Sequence, residues 1–132
     1  SDFRGRCILL VEDNELNREI AVEILNEYGF LVDTAENGAE AVEKVKNSTP
    51  GSYDLVLMDV QMPQLDGYGA TRCIRSLQRE DAATVPIVAM SANAFAEDVR
   101  ASLEAGMNAH LSKPIDMRKV VDTLVRLTRK GA

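Results

Sequence analysis

Apolar and polar residues follow one another along this chain in two patterns, one typical of buried strands and one of amphipathic helices. The strand pattern occurs five times, at Cys7–Val11, Phe30–Ala35, Leu55–Met58, Val85–Met90 and Ala109–Leu111. The first, third and fourth of these stretches are nearly continuous apolar runs, which are typical of parallel strands covered by helices on both faces. The sequence therefore predicts a sheet with a strongly buried centre.

A stretch with helical spacing follows each predicted strand. Leu16, Ile20, Ile24 and Tyr28 recur in the first stretch, which stops at Gly29. The apolar positions of the other four are Ala41, Val42 and Val45; Ala70, Ile74 and Leu77 after Gly67; Val99 and Leu103 before Gly106; and Val120, Val121, Leu124 and Val125. Asn37 with Glu40 resembles a capping pair for the second helix, and Asp116 is placed to cap the last one.

Five strand–helix units in succession favour an α/β fold, a doubly wound parallel sheet with five helices. Right-handed crossovers place helices on both faces of such a sheet. The chain has 132 residues, which is one domain with a sizeable core. We expect a single domain over residues 1–132, with its core at about 6–129.

Composition and charge narrow the function classes. A net charge of −6 argues against direct nucleic-acid binding, which requires clustered Lys and Arg. No apolar stretch is long enough to span a membrane, no signal peptide is evident, and we expect no membrane contact. The two cysteines, Cys7 and Cys73, make neither a disulfide framework nor a metal cluster. We interpret them as buried thiols and expect a cytoplasmic domain.

Polar side chains follow four of the predicted strands at the point where each strand ends. Glu12 and Asp13 follow the first strand, Asp59 the third, Ser91 the fourth and Lys113 the fifth. The carboxyl ends of parallel strands meet at one edge of the sheet, which is where doubly wound folds bind ligands. We therefore expect three carboxylates, a hydroxyl and an ammonium to converge there.

The chemistry of such a cluster points to phosphate and a hard cation. Two carboxylates about 4 Å apart repel by roughly 4 kcal/mol at an effective dielectric near 20, so three require a cation or raised pKa values. Mg²⁺ suits an all-oxygen site with few protein ligands, and Mn²⁺ is an alternative. One carboxylate can then act as a nucleophile and form an aspartyl phosphate.

Short motifs around these residues resemble those of response-regulator receiver domains over nearly the whole chain. The motifs are Val11–Asn14 (VEDN), Met58–Pro63 (MDVQMP), Asp66–Gly67, Met90–Ala92 (MSA) and Leu111–Ile115 (LSKPI). The resemblance implies the flavodoxin-like receiver fold with strand order 2-1-3-4-5. It also implies a phosphoacceptor that catalyses its own phosphorylation and dephosphorylation, with a histidine kinase or a histidine phosphotransfer domain as partner.

The resemblance also implies a role for each site residue. Asp59 accepts the phosphoryl group, and Glu12, Asp13, Asp59 and the backbone carbonyl of Gln61 hold Mg²⁺. Ser91 is the switch hydroxyl, Lys113 pairs with the phosphate, and Gln61 and Asn93 tune dephosphorylation. Glu12 stands where many receivers carry Asp. His110 stands at the switch position usually held by Tyr or Phe.

Plainer interpretations of these residues are also open. Asp59 is placed to cap the loop after its strand, and Glu12 and Asp13 to cap the first helix. Ser91 fits a simple turn residue, Lys113 an ordinary surface lysine, and His110 a half-exposed strand residue without a switching role.

Rival functions also remain. A phosphatase of the haloacid-dehalogenase type uses a similar set, but it needs a second Asp where this chain has Gln61. A phosphorylation-independent interaction module usually lacks the Asp or the Lys.

The VEDN, MDVQMP and SANAF stretches resemble receivers fused to hybrid histidine kinases, and a stand-alone regulator is the alternative origin. A parent kinase of that kind can be membrane-anchored, and we expect no output domain in this chain. We expect Asn14, Leu16, Asn17 and Ile20, at the start of the first helix, to dock the donor protein. The spacing of Leu16 and Ile20 equally permits a core-facing position.

Overall fold

The predicted strands form one parallel sheet. The computed structural model describes residues 5–49, 52–60, 67–77, 82, 85–91, 96–112 and 117–129. Its strands are β1 (Cys7–Val11), β2 (Leu31–Ala35), β3 (Leu55–Asp59), β4 (Ile87–Ser91) and β5 (Ala109–Ser112). They lie in the order β2-β1-β3-β4-β5, and every neighbouring pair is parallel. The predicted fold class and the strand order implied by the resemblance are confirmed.

Five helices of the described chain cover the sheet. They are α1 (Glu15–Glu27), α2 (Gly38–Asn47), α3 (Gly67–Ser76), α4 (Ala96–Ala105) and α5 (Met117–Arg129). No helix among the described residues is both long enough and apolar enough to cross a membrane.

Alternate residues of the central strands belong to two separate apolar layers, one on each face of the sheet. Leu9 and Met58 belong to one layer, which packs against Ala41 of α2 and Ile74 of α3. The second layer contains Ile8, Leu10, Leu57 and Met90, and it is completed by Leu25 of α1 and Val120 of α5. Because β3 and β4 are buried at every position, both faces of the sheet are covered at its middle.

The inward faces of α1 and α4 differ from a simple reading of the pattern. Leu16 is 64% exposed and Ile20 is 48% exposed, whereas Ala21 and Leu25 are buried. The core-facing alternative for Leu16 and Ile20 is therefore wrong. Two sets of apolar residues on α1 have helical spacing, Leu16 with Ile20 and Ala21 with Leu25. The set that contains the small Ala21 is the one that packs against the sheet. On α4, Leu103 is 55% exposed.

Local capping signals were read correctly for α2 and incompletely for α1. The Asn37 side chain accepts a hydrogen bond from the backbone N–H of Glu40 at 2.8 Å, as predicted. In α1 the cap is Asn14, whose Oδ1 accepts from the N–H of Asn17 at 2.9 Å. The alternative that Glu12 and Asp13 cap this helix is therefore wrong. Asp116 lies outside the described residues.

The cysteines are free thiols in different surroundings. Cys7 is half-buried in β1, and Cys73 is exposed on α3. The expectation of a buried thiol is therefore wrong for Cys73, because its position on α3 faces away from the sheet. Burial, followed by the charges of Asp33 and Asp54, raises the pKa of the Cys7 thiol.

Candidate functional site

Asp59 is the last residue of β3 and lies at the carboxyl edge of the sheet. It is paired in register with Met90 of β4, and the N–H of Val60 donates to the Met90 carbonyl at 3.1 Å. Only 2% of Asp59 is exposed. The apolar run of β3 therefore carries a carboxylate into a nearly closed position, where its charge requires specific partners.

Two further carboxylates meet Asp59. One carboxylate oxygen from each of Glu12, Asp13 and Asp59 lies within 4.8 Å of the other two. Glu12 and Asp59 are buried, and Asp13 is exposed. Hard oxygen ligands at this spacing suit a divalent cation such as Mg²⁺ or Mn²⁺, with room for water on the exposed side. The predicted convergence of these three residues is observed.

Arg18 fixes the loop that carries two of these acids. Its Nη1 donates to the backbone carbonyl of Glu12 at 2.9 Å, and its Nη2 lies 3.4 Å from a carboxylate oxygen of Glu36. The Glu12 side chain in turn accepts from the N–H of Asn14 at 3.2 Å, which orients the carboxylate. Arg18 is not predictable from the sequence, since nothing in its spacing along α1 indicates a contact with the loop.

Gly67 brings the start of α3 against the end of β3. A Cβ atom at this position would lie 2.5 Å from the Asp59 carbonyl oxygen and 2.8 Å from the Val60 Cα. No side chain fits in that space without moving the backbone. The glycine therefore seats α3 directly behind the strand end that carries Asp59.

Ser91 and His110 are joined by a hydrogen bond. Ser91 is the last residue of β4 and is 3% exposed. Its Oγ lies 2.8 Å from Nε2 of His110, which is half-buried on β5. The second ring nitrogen, Nδ1, lies 3.0 Å from Oγ of Ser102, a fully buried residue of α4. Three polar side chains thus form a chain from the edge of the sheet to a covering helix.

Ser102 was also missed, although the sequence held a signal. It falls three residues after Val99 on the helix pattern, at a position where an inward-facing apolar residue is expected. A polar residue at such a position requires a hydrogen-bond partner within the fold. His110 supplies it.

The remaining predicted residues divide into two groups. Lys113, Gln61 and Asn93 lie outside the described residues. On α1 and its cap, Asn14, Leu16, Asn17 and Ile20 are all exposed, and they follow the acidic loop directly.

Sequence comparison identifies relatives that are much longer than this chain. Hybrid signal transduction histidine kinase B of Dictyostelium discoideum is 43% identical over 93% of this chain, but only 6% of its own length is covered. Probable histidine kinase 2 of Oryza sativa subsp. indica is 35% identical over 91% of this chain and 12% of its own length. The chain thus spans a small fraction of the curated relatives that it matches.

Solved structures match over nearly their full length. The receiver domain of sensor histidine kinase PA1611 from Pseudomonas aeruginosa PAO1, crystallised with a magnesium ion in its active site cleft, is 40% identical. It aligns with a TM-score of 0.82, covering 93% of this chain and 97% of that one. The receiver domain of Ssk1 from Saccharomyces cerevisiae, crystallised with the histidine phosphotransfer signaling protein Ypd1, is 31% identical with a TM-score of 0.85, covering 100% and 94%.

The family model for the response regulator receiver domain matches residues 8–125. That range includes β2 to β5, all of β1 except its first residue, and every acid of the cluster around Asp59. The chain belongs to the response regulator receiver domain family, the receiver component of two-component signal transduction.

Proposed function

We propose that Asp59 accepts a phosphoryl group from a phosphohistidine of a partner protein. The observation that carries this proposal is the meeting of Glu12, Asp13 and Asp59 at the carboxyl edge of the sheet. In the transfer, the P–N bond of the phosphohistidine breaks as a P–O bond forms to the Asp59 carboxylate. The departing imidazole keeps the electron pair of the broken bond and takes up a proton from solvent. Phosphoryl transfer of this kind needs positioning and charge neutralisation more than covalent chemistry.

Glu12, Asp13 and Asp59 would hold Mg²⁺, or Mn²⁺ in its place. Bound there, the ion would neutralise charge on the phosphoryl oxygens. Arg18 and the N–H of Asn14 hold the Glu12 segment so that its carboxylate faces the cluster. The resemblance alone assigns the Gln61 carbonyl to the same ion and Lys113 to a phosphoryl oxygen.

The lifetime of the phosphorylated state is part of the same proposal. Gln61 and Asn93 flank the path of the attacking water by the resemblance, and neither side chain is an acid or a base. They orient water without deprotonating it, so substitutions there are expected to change the decay rate and not the ability to be phosphorylated.

Labelling with a small phosphodonor tests the acceptor. Wild type is expected to be labelled when Mg²⁺ is present and to lose labelling on chelation, because the three acids need the cation. Asp59→Asn is expected to abolish labelling. Asp33→Asn is the matched control, since Asp33 lies on β2 with Lys44 and Tyr53 as its partners. Undiminished labelling of Asp59→Asn would refute the assignment.

We infer that the donor is a histidine kinase or a histidine phosphotransfer domain, and that the parent protein is a hybrid histidine kinase. The relatives named above and the Ssk1 receiver crystallised with Ypd1 support this inference. Leu16 and Ile20 form a small exposed apolar patch one turn from the acidic loop. A patch of that size suits a transient interface.

Substitution at Asn17, beside that patch, separates docking from chemistry. Asn17→Trp is expected to slow transfer from a phosphohistidine donor about tenfold, because a bulky side chain displaces the partner helix. Asn26→Trp, at an exposed position near the far end of the same helix, is the control and should transfer normally. Labelling by a small phosphodonor should be unchanged in both variants. If Asn17→Trp lowers both transfer from phosphohistidine and labelling by the small phosphodonor, Asn17 supports the site itself and the docking proposal fails.

We propose a cytoplasmic location without direct nucleic-acid or membrane binding. The two free thiols suit a reducing compartment, and the net charge of −6 opposes contact with phosphate-rich surfaces.

A further inference from the structure

The hydrogen-bond chain Ser91–His110–Ser102 has a direction, because each link has one donor and one acceptor. A neutral imidazole carries one N–H and one bare nitrogen, so its two neighbours cannot both donate to it or both accept from it. Ser91 lies at the carboxyl edge of the sheet, one residue after Met90, which pairs with Asp59, and Ser102 lies on α4. The tautomer of His110 therefore decides which way both hydrogen bonds point.

We expect the helical position of Ser102 to set the direction of both hydrogen bonds in the unphosphorylated protein. A serine or threonine hydroxyl inside a helix commonly donates to the carbonyl four residues earlier. Thr71 and Ser76 both do so here, to the carbonyls of Gly67 and Arg72 at 2.8 and 2.7 Å. A hydroxyl that donates in this way offers its oxygen as an acceptor. Ser102 then accepts from Nδ1–H of His110, and Nε2 accepts from the Ser91 hydroxyl.

A phosphoryl group at Asp59 would reverse the direction of both hydrogen bonds. Its oxygens accept hydrogen bonds and do not donate them, so a serine hydroxyl that contacts the group must give it its only proton. Ser91 can then keep its contact with His110 only as an acceptor, which requires the proton to be on Nε2. Nδ1 becomes an acceptor, and Ser102 must turn its hydroxyl toward the ring.

We propose that phosphorylation switches His110 from the Nδ1–H to the Nε2–H tautomer, and that Ser102 is the positioning residue that registers the change on α4. The ring stays neutral: one proton leaves Nδ1 and one arrives at Nε2 by exchange with water. This inference rests on the proposed phosphoacceptor function of Asp59. It extends that function by assigning a path from the acceptor to a buried hydroxyl of a covering helix.

The chain contains a single histidine, so the tautomer can be measured without ambiguity. Two-bond ¹H–¹⁵N correlation spectra distinguish a protonated from a bare ring nitrogen. The full chain is titrated with Mg²⁺ and beryllofluoride, a phosphoryl analogue, and ¹⁹F spectra report whether the analogue is bound. Wild type is expected to change from Nδ1–H to Nε2–H as the bound signal saturates.

Two variants test the part played by Ser102. Ser102→Ala removes the acceptor for Nδ1–H, so His110 should already be Nε2–H and should not respond to the analogue. Ser102→Thr restores a hydroxyl and should restore the response, and Ser76→Ala, an exposed helical serine, should behave as wild type. A residue with a merely structural role would change the thermal midpoint and leave this response intact.

Each result supports or overturns the inference. If the analogue binds and the wild-type tautomer does not change, or if both ring nitrogens become protonated, the tautomer switch is wrong while the acceptor function stands. A wild-type response in Ser102→Ala overturns the role of Ser102. If the analogue does not bind, the acceptor function and this inference fail together.

Discussion

Carboxylates occupy two contrasting settings in this domain, one around Asp33 on β2 and one around Asp59 on β3. Asp33 accepts from the Tyr53 hydroxyl at 2.6 Å and from the Lys44 ammonium at 3.1 Å, and Lys44 also donates to the Thr34 carbonyl. Around Asp59, by contrast, three carboxylates converge within 4.8 Å. The chain itself neutralises the first carboxylate. At the second it brings three acids together, an arrangement that suits the divalent cation proposed above.

The difference is visible in the ionisation of Asp33. Burial raises the pKa of this carboxyl, but hydrogen bonds from Tyr53, Lys44 and the Thr34 N–H, together with the Lys44 charge, outweigh it and lower the net pKa. Burial, followed by the hydrogen bond to Asp33, raises the pKa of the Tyr53 phenol. The phenol hydroxyl stabilises the ionised carboxylate of Asp33, and the carboxylate stabilises the protonated phenol of Tyr53. This is the behaviour expected of a pair with a structural role.

The largest expected effect is on metal affinity. Asp13→Asn removes one anionic ligand from the exposed side of the cluster and should weaken Mg²⁺ binding about 10- to 100-fold. Asp33→Asn should bind Mg²⁺ like wild type, because its carboxylate serves Lys44 and Tyr53. Isothermal titration calorimetry on the three proteins makes the comparison. Equal losses in the two variants would mean that Asp13 has no special relation to the ion.

An intermediate effect is expected on the stability of the metal-free protein. Asp59→Asn removes one of three neighbouring negative charges and should raise the free energy of unfolding by about 1–2 kcal/mol. Saturating Mg²⁺ should reverse the order, since a cation at 100 times its Kd adds about 2.7 kcal/mol to the protein that binds it.

Urea denaturation with and without Mg²⁺ measures both effects. Asp33→Asn is the control. Unlike Asp59→Asn, it should be less stable than wild type both with and without Mg²⁺. A metal-free Asp59→Asn protein that is less stable than wild type would contradict the view of the cluster as a repulsive site.

The smallest expected effect concerns Asp33 and pH. Its carboxyl has a lowered pKa in the folded protein, so its contribution to stability is present above the unfolded value near 4 and is lost as the pH falls through the folded value. Because the side chain is 43% exposed, solvent screens the pair and the contribution should be about 1 kcal/mol or less.

Asp33→Asn should therefore make the acid side of the stability–pH profile shallower. Tyr53→Phe removes the phenol hydrogen bond at constant charge and should cost about 1 kcal/mol near neutral pH. Unfolding free energies between pH 7 and pH 3 test this. Parallel profiles for wild type and Asp33→Asn would show that the pair has no linked ionisation.

The strands of the sheet were largely predictable because each is indicated by the pattern of its own short stretch of sequence. A continuous apolar run such as Leu55–Met58 has one reading in a chain of alternating units, and the strand carries Asp59 to its end whatever the neighbours do. The structure extends β3 by one residue to include that aspartate and begins β4 at Ile87, after Pro86. The Asn37 cap was also readable, since both partners lie within four residues.

Contacts between elements were the part that the pattern could not supply. Leu16 and Ile20 have the spacing of a buried stripe, yet the neighbouring stripe with Ala21 and Leu25 faces the sheet. Arg18 reaches back to the Glu12 carbonyl, a contact that depends on how α1 leaves the loop. The partners of His110 lie 19 and 8 residues away, on β4 and α4, and they meet the ring only because β4 pairs with β5 and α4 packs against β5.

Gly67 has a consequence for how this domain can evolve. Every substitution at this position adds a Cβ atom that would meet the backbone of Asp59 and Val60, so each should be removed by selection whatever its polarity. The exposed outer positions of α3, Arg72 and Cys73, carry no such restriction. A lineage can therefore diversify the surface of this helix by single mutations while Asp59 stays in place.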